Sequence, residues 1–249
     1  MTAGEEPGRL AWVGHSTVLV ELDGARVVTD PVLRRRVAHL HRAQAVEPAA
    51  LAPVDAIVIS HVHWDHLDLP SLAAMGRGTR IVVPRGARRL LDRHGFTDVV
   101  EVDEGERADV NGLAIRATHA AHSARRGLLG AKGPSLGYLL GDRRRVYFAG
   151  DTDLFAGMAA LAERLHVALL PIAGWGPRLP PGHLDPERAA AALRMLRPRI
   201  AVPIHWGTYR PIYGHGPADA PDRAFARDAA RVVPDVDVRV LPIGADLRF

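Results

Sequence analysis

Three histidines and an aspartate fall within six residues at His61-Val62-His63-Trp64-Asp65-His66. Imidazole nitrogens and carboxylate oxygens ligate metals, and an imidazole buried without a partner is unfavourable. Four ligand-type residues in one short loop therefore point to a bound ion. The spacing adds geometry to this reading. His61 and His63, two apart on an extended segment, project to the same side and can pinch one ion. Asp65 and His66 lie past the bend and address a neighbouring position. Other ligand-type residues close later apolar runs: His122, with His119 as the alternative three residues earlier, then Asp151 and His205. A carboxylate such as Asp151 can bridge two ions, one oxygen to each. Two ions about 3.5–4 Å apart activate a bridging water and stabilise a charged transition state.

The cluster follows Ala56-Ile57-Val58-Ile59, an apolar run that reads as a buried strand. Its side chains thus sit just past a strand end, where a rigid sheet can aim them. Upstream, residues 17–22 and 25–29 read as strands around a hairpin turn at Asp23-Gly24, and 32–54 as a loop with a short helix. Downstream, strands are expected at 80–84, 98–102, 113–117, 136–140, 146–149, 167–170, 200–204 and 238–241. Helices are expected at 67–75, 86–94, 154–165, 185–196 and 222–231, the fourth with Asp185 as cap and Pro186 at its first position. The Gly- and Arg-rich stretch 123–135 reads as a surface loop. Strands precede helices in each half and no linker separates the halves, which supports an α/β or α+β chain.

With 47% apolar and 24% charged residues, the 249-residue chain has an ordinary globular balance. Cysteine is absent, which excludes disulfides and thiolate ligands and leaves nitrogen and oxygen to hold a metal. Residues 1–9 lack the layout of a secretion signal, and no apolar run approaches the roughly 18 residues of a membrane span, so a cytoplasmic protein is expected. The net charge is +4, carried almost wholly by arginine, with Lys132 the single lysine. Basic runs such as 34–36, 88–89, 125–126 and 143–145 are scattered, so they read as solvated surface and no nucleic-acid partner is expected.

The motif His61-x-His63-x-Asp65-His66 resembles the metal motif of the metallo-β-lactamase-fold hydrolases. The resemblance extends over nearly the whole chain, through Gly14-His15-Ser16-Thr17, Thr29-Asp30-Pro31, His122, Gly150-Asp151-Thr152 and His205-Trp206-Gly207-Thr208. Gly182-His183-Leu184-Asp185-Pro186-Glu187 and the ending around His205 are similar to the branch of ascorbate-6-phosphate lactonases and N-acyl-phosphatidylethanolamine phospholipase D-like proteins. What this implies is a four-layer αββα sandwich, one domain over residues 1–249 made of two similar halves. It implies one ion on His61, His63 and His122, a second on Asp65, His66 and His205, and Asp151 bridging them. Between the two alternatives above, Ala121-His122-Ser123 fits the family pattern and His119 does not.

The implied function is a dinuclear hydrolase in which a hydroxide bridging the ions attacks a small-molecule phosphodiester, ester or lactone. Zinc is the expected metal, with manganese or iron also suited to nitrogen and oxygen ligands. Asp65, Asp151 and His183 are the candidate catalytic residues. His183 would protonate the leaving group or hold substrate; the plainer reading is a histidine bonded to backbone ahead of the next helix. His15 is a candidate partner orienting the ligands, against plain packing. Trp175 and Tyr209 are candidate pocket residues, and Arg125, Arg126 and Lys132 a candidate anion-binding loop, against packing and solvated surface respectively. The alternative for the whole chain is a non-catalytic metal- or ligand-binding protein on the same scaffold.

Overall fold

Asp23 and Gly24 both adopt positive φ, 50° and 81°, the geometry of a two-residue hairpin turn whose twist matches its flanking strands. They join β2 (Thr17–Leu22) to β3 (Ala25–Thr29) in the first of two large sheets. The computed structural model describes residues 7–47, 51–126, 132–174, 179–212 and 220–249. Along the first half run β1 (Arg9–Gly14), β2, β3, β4 (Arg36–Val37), β5 (Leu40–Arg42), β6 (Ala56–Val58), α1 (Leu69–Met75), β7 (Arg80–Pro84), α2 (Arg88–Asp92) and β8 (Val99–Val102). The remainder comprises β9 (Arg107–Val110), β10 (Leu113–Arg125), β11 (Lys132–Leu140), β12 (Arg145–Phe148), β13 (Leu165–Pro171), α3 (Pro186–Leu196), β14 (Ile200–Ile204), β15 (Tyr209–Pro211), α4 (Pro221–Val232), β16 (Asp237–Val238) and β17 (Asp246–Arg248).

One seven-stranded sheet has the order β17-β1-β2-β3-β6-β7-β8 and the other β16-β14-β13-β12-β11-β10-β9. Each joins an antiparallel run to a parallel one: β3, β6, β7 and β8 are parallel in the first, and β12, β13, β14 and β16 in the second. Strand periodicity sends alternate side chains to opposite faces. Ala56 and Val58 enter the core between the sheets, while Ile57 and Ile59 pack outward with Leu72 of α1 and Leu91 of α2. In the second sheet Val167 and Leu169 face inward, and Ala168 and Leu170 lie beneath Leu193 of α3 and Phe225 of α4. The result is helix, sheet, sheet, helix: four layers, as the resemblance implies. Each fully buried valine, leucine or isoleucine among these contributes about 1.5–3 kcal/mol of transfer free energy. No described helix is long and apolar enough to cross a membrane.

Capping follows the sequence. Asp68 accepts from Ser71 N to start α1, and Asp185 accepts from Arg188 N to start α3. Four expectations are corrected. Residues 123–135 are not a loop throughout: β10 and β11 extend to Arg125 and from Lys132, which pair directly, and 127–131 lie outside the described residues. Pairing across a hairpin satisfies the backbone of even Gly- and Arg-rich arms, and one strand's sequence does not reveal its partner. The helix expected at 154–165 is only a 3-10 turn, Ala156–Leu161, since Gly157 weakens it, no side chain caps it and β13 claims Leu165. The stretch 32–54 carries β4 and β5, which join β15 in a small third sheet. Near the C-terminus, β16 is confined to Asp237–Val238, and β17 closes the first sheet on β1.

Candidate metal centre

Every ligand-type residue singled out above, except His119, lies at one end of the two sheets. His61, His63, Asp65 and His66 follow β6; His122 sits where the β10–β11 register shifts; Asp151 follows β12, and His205 follows β14. His15 lies between β1 and β2, and Asp30 follows β3. Three of these, His15, Asp30 and His205, have φ of 54°, 32° and 61°, a region that side chains other than glycine seldom adopt. Such strain persists only where surrounding bonds enforce it. Here His205 N donates to His15 O (3.0 Å), Trp12 Nε1 donates to the same oxygen (2.9 Å), and His15 N donates to Thr208 Oγ1 (2.6 Å).

The side chains form two groups that meet at Asp151. In the first, His63 Nδ1 is 2.9 Å from His61 Nε2 and 3.3 Å from His122 Nε2. In the second, His15, Asp65, His66 and His205 offer atoms all within 4.8 Å of one another. Asp151 Oδ2 lies 3.8 Å from His61 Nε2 and 3.2 Å from His66 Nε2, and its Oδ1 lies 3.3 Å from His205 Nε2. The outer ring nitrogens are engaged: His205 Nδ1 donates to Ala173 O (2.7 Å) and His122 Nδ1 to Gly182 O (3.0 Å). A carbonyl can only accept, so both rings carry their proton on Nδ1 and turn the Nε2 lone pair inward. His66 Nδ1 is held by Asp30 Oδ2 (2.7 Å) and His61 Nδ1 by Ser60 Oγ (2.9 Å).

Inward-facing atoms in this arrangement lack donors. His66 Nε2, His205 Nε2 and Asp151 Oδ1 are buried and have no hydrogen-bond partner. Buried acceptors converging without a donor are what a cation satisfies. Ligand nitrogens at about 2.0–2.1 Å from a tetrahedral zinc stand about 3.3 Å apart, close to the separations around His63. The donor set therefore fits divalent metal.

Charge leads to the same conclusion. Burial holds the pKa of His61, His63 and His205 below the usual imidazole range and that of His122 down to about 4, so these rings stay neutral, as ligands must be. Burial also works against a charged His66, but Asp151, Asp65 and Asp30 together outweigh it and raise its pKa well above normal. Burial would push Asp151 and Asp65 up; the surrounding histidines, His205 and His66 for Asp151 and His66 and His15 for Asp65, hold both well down. The centre is thus an acidic cavity that takes up positive charge.

The sequence profile of the beta-lactamase superfamily domain matches residues 25–206. The chain belongs to the metallo-β-lactamase superfamily. A metal-dependent hydrolase of Methanopyrus kandleri is 31% identical over 242 residues, covering 95% of this chain and 97% of that protein. An N-acyl-phosphatidylethanolamine-hydrolyzing phospholipase D 1 of Caenorhabditis elegans is 31% identical over 225 residues, which is 80% of this chain and 63% of that protein. Similarly, the chain spans 59% of the length of an uncharacterized Mycobacterium tuberculosis protein to which it is 35% identical. Among solved structures, Igni18, a metallo hydrolase of Ignicoccus hospitalis, superposes with a TM-score of 0.78 at 29% identity, covering 98% of this chain and 99% of that one.

On this superfamily scaffold a cavity of about 450 Å³ opens beside Asp151, lined by His63, Trp64, Asp65, His122, Leu179, Pro180, Pro181, His183 and His205. His183 Nε2 lies 3.4 Å from Asp151 Oδ2, and its Nδ1 donates to Pro180 O (3.0 Å). Burial lowers the His183 pKa, but the Asp151 carboxylate overrides this and raises it. His15 is buried with its Nε2 3.3 Å from Asp65 Oδ2. His119 stands apart, on the surface, with Nδ1 2.9 Å from Glu104.

The proposed substrate contacts fare differently. Tyr209 is buried outside the cavity, donating to Val32 O (3.1 Å) or Arg34 O (3.0 Å), so it lines nothing. Arg126 is also buried, donating to Val62 O and Leu67 O, and does not reach for an anion. Trp175 and the side chains of Arg125 and Lys132 lie outside the described residues. Three supports went unassigned in the sequence: Asp30, Ser60 and Arg42. Arg42 is a buried cation donating to the carbonyls of Val13, Val32 and Gln44 beneath Tyr209. The polar runs at strand ends, Thr29-Asp30 and Ser60, were the available signal. A larger depression of about 920 Å³, bordered by Arg9, Glu21 and Arg26, lies at the opposite strand ends and contains no group of metal-ligating side chains among the described residues.

Proposed function

We propose that the chain is a dinuclear metal-dependent hydrolase of small-molecule esters, lactones or phosphodiesters, acting in the cytoplasm with residues 1–249 as one catalytic unit. The observation that carries this reading is Asp151, whose two oxygens face His66 and His205, with His61 in reach, so that one carboxylate serves both groups. His61, His63 and His122 would hold one ion and Asp65, His66 and His205 the other, with Asp151 shared. Two such ions, zinc above all, supply Lewis acidity and lower the pKa of water. Asp151 and Asp65 orient the attacking water from the cavity floor. His183, at the cavity side of Asp151 and biased towards its charged form, delivers a proton to the leaving oxygen. His15 steadies Asp65.

The test is reconstitution with Zn²⁺, ion counting, and parallel assays on lactone, ester and phosphodiester panels. Two bound ions and turnover on at least one panel are expected. Asp151→Ala should lose both together, and a variant keeping two ions and full turnover removes Asp151 from this role. Two bound ions without turnover on any panel would instead support the non-catalytic binding protein.

A further inference from the structure

Trp64 sits inside the metal motif, between His63 and Asp65, and is 52% exposed, the one large apolar side chain among the described residues that is. A stray surface aromatic would account for the exposure but not for what lies against it. The guanidinium of Arg126 stands 3.9 Å from the centre of the indole ring, held by Val62 O (3.1 Å) and Leu67 O (2.7 Å). Burying a guanidinium is costly, and burial depresses its pKa to about 10 although the Asp68 carboxylate opposes this. In return the indole is fixed by a cation–π contact in one orientation. Its remaining surface lines the cavity, together with Leu179, Pro180 and Pro181. That places an apolar wall beside the candidate metal ligands, where a bound small molecule would meet it.

We infer that Trp64 determines specificity: clamped by Arg126, it forms with Leu179 and the Pro180-Pro181 pair an apolar slot for an aromatic ring of the substrate. The inference rests on the hydrolase reading for what stands beside that ring, a scissile bond at Asp151. Stiff, flat walls of indole and proline select a ring over a flexible chain, since less rotamer freedom is lost on stacking. The apolar faces of Trp64, Leu179, Pro180 and Pro181 suit the slot to an uncharged group. Cavities of this size hold one small molecule.

Phenylphosphonate and methylphosphonate share the end that metal would hold and differ only in the group offered to the slot. Isothermal titration of the zinc-loaded protein should find phenylphosphonate about tenfold tighter, the scale of one well-stacked ring. Trp64→Ala should shrink that preference to about twofold, with methylphosphonate affinity little changed, while Trp64→Phe retains most of it. Arg126→Gln should reduce the preference through a loosened indole. Equal affinities in the unmodified protein, failure of either phosphonate to bind it, or an undiminished preference in Trp64→Ala overturns the inference. Hydrolysis of paired phenyl and methyl esters separates the two readings. No turnover of either, nor of any lactone or phosphodiester in the panels above, ends the hydrolase reading, while a phenyl preference in binding that depends on Trp64 leaves the slot standing.

Discussion

Asp30 Oδ2 lies 2.7 Å from His66 Nδ1, and both side chains are fully buried. The same carboxylate accepts from Ser60 N (2.7 Å) and Ser60 Oγ (2.5 Å). Asp30 follows β3 and His66 lies on the loop after β6, and the parallel pairing Thr29↔Val58 brings the two together. The carboxylate fixes the ring so that Nε2 faces Asp151 at 3.2 Å and strengthens that nitrogen as a donor to metal.

Asp30→Asn keeps the shape and removes the charge. Partners of this kind set metal affinity by about 10- to 100-fold. The variant should therefore lose affinity by that factor for the ion proposed on Asp65, His66 and His205, and keep the one proposed on His61, His63 and His122. Chelator competition titrations read both steps. Two unchanged affinities would strip Asp30 of its positioning role.

Gly150 holds Asp151 at a place where no side chain fits. Its φ is +60°, and an added Cβ would stand 2.5 Å from Ser60 Cβ and 3.1 Å from Leu136 O. Gly150→Ala should destabilise the protein by about 1–3 kcal/mol and displace Asp151, lowering metal content. A melting temperature several degrees lower follows, at about 2–4 °C per kcal/mol for a chain of this size. Gly157→Ala is the control: its Cβ would meet only the Phe155 ring, at 3.4 Å, and should leave both readings unchanged. Equal melting points for the two variants would show that the close approach to Ser60 relaxes freely.

What the sequence disclosed and what it withheld divide along a physical line. Residues able to ligate a metal are few in type, so the candidates His61, His63, Asp65, His66, His122, Asp151 and His205 stood out at the ends of apolar runs, and those runs became strands. Roles that depend on a partner far along the chain did not stand out. Asp30 beside Pro31 looks like any turn residue until β3 and β6 pair. Arg126 in a run of Arg and Gly looks solvated, yet the β10–β11 hairpin buries it under Trp64. Tyr209 follows His205 closely in sequence, but Arg42 and the Val32 carbonyl draw it away from the cavity. Local propensity also misled at 154–165, where alanine and leucine suggested a helix that Gly157 and the demands of β13 cut short.

His15 gives the metal-free protein an acid sensitivity with a defined sign. Burial is the main cause that lowers its pKa to about 4, His205 adds to this, and Asp65 opposes it. The folded state therefore holds His15 neutral, while in the unfolded chain it titrates near 6.5. Between about pH 6.5 and 4 the unfolded state binds the extra proton, so stability rises with pH across that window. The contribution is fully present above 6.5 and is lost as pH falls towards 4, about 3 kcal/mol in all. Urea unfolding of the chelated protein at pH 7.5 and pH 5 should show a loss that His15→Gln reduces by about 2 kcal/mol. His66, whose raised pKa acts in the opposite sense, is present in both proteins and largely cancels in the comparison. Identical pH dependence in the two proteins would mean that His15 is not the buried neutral group responsible.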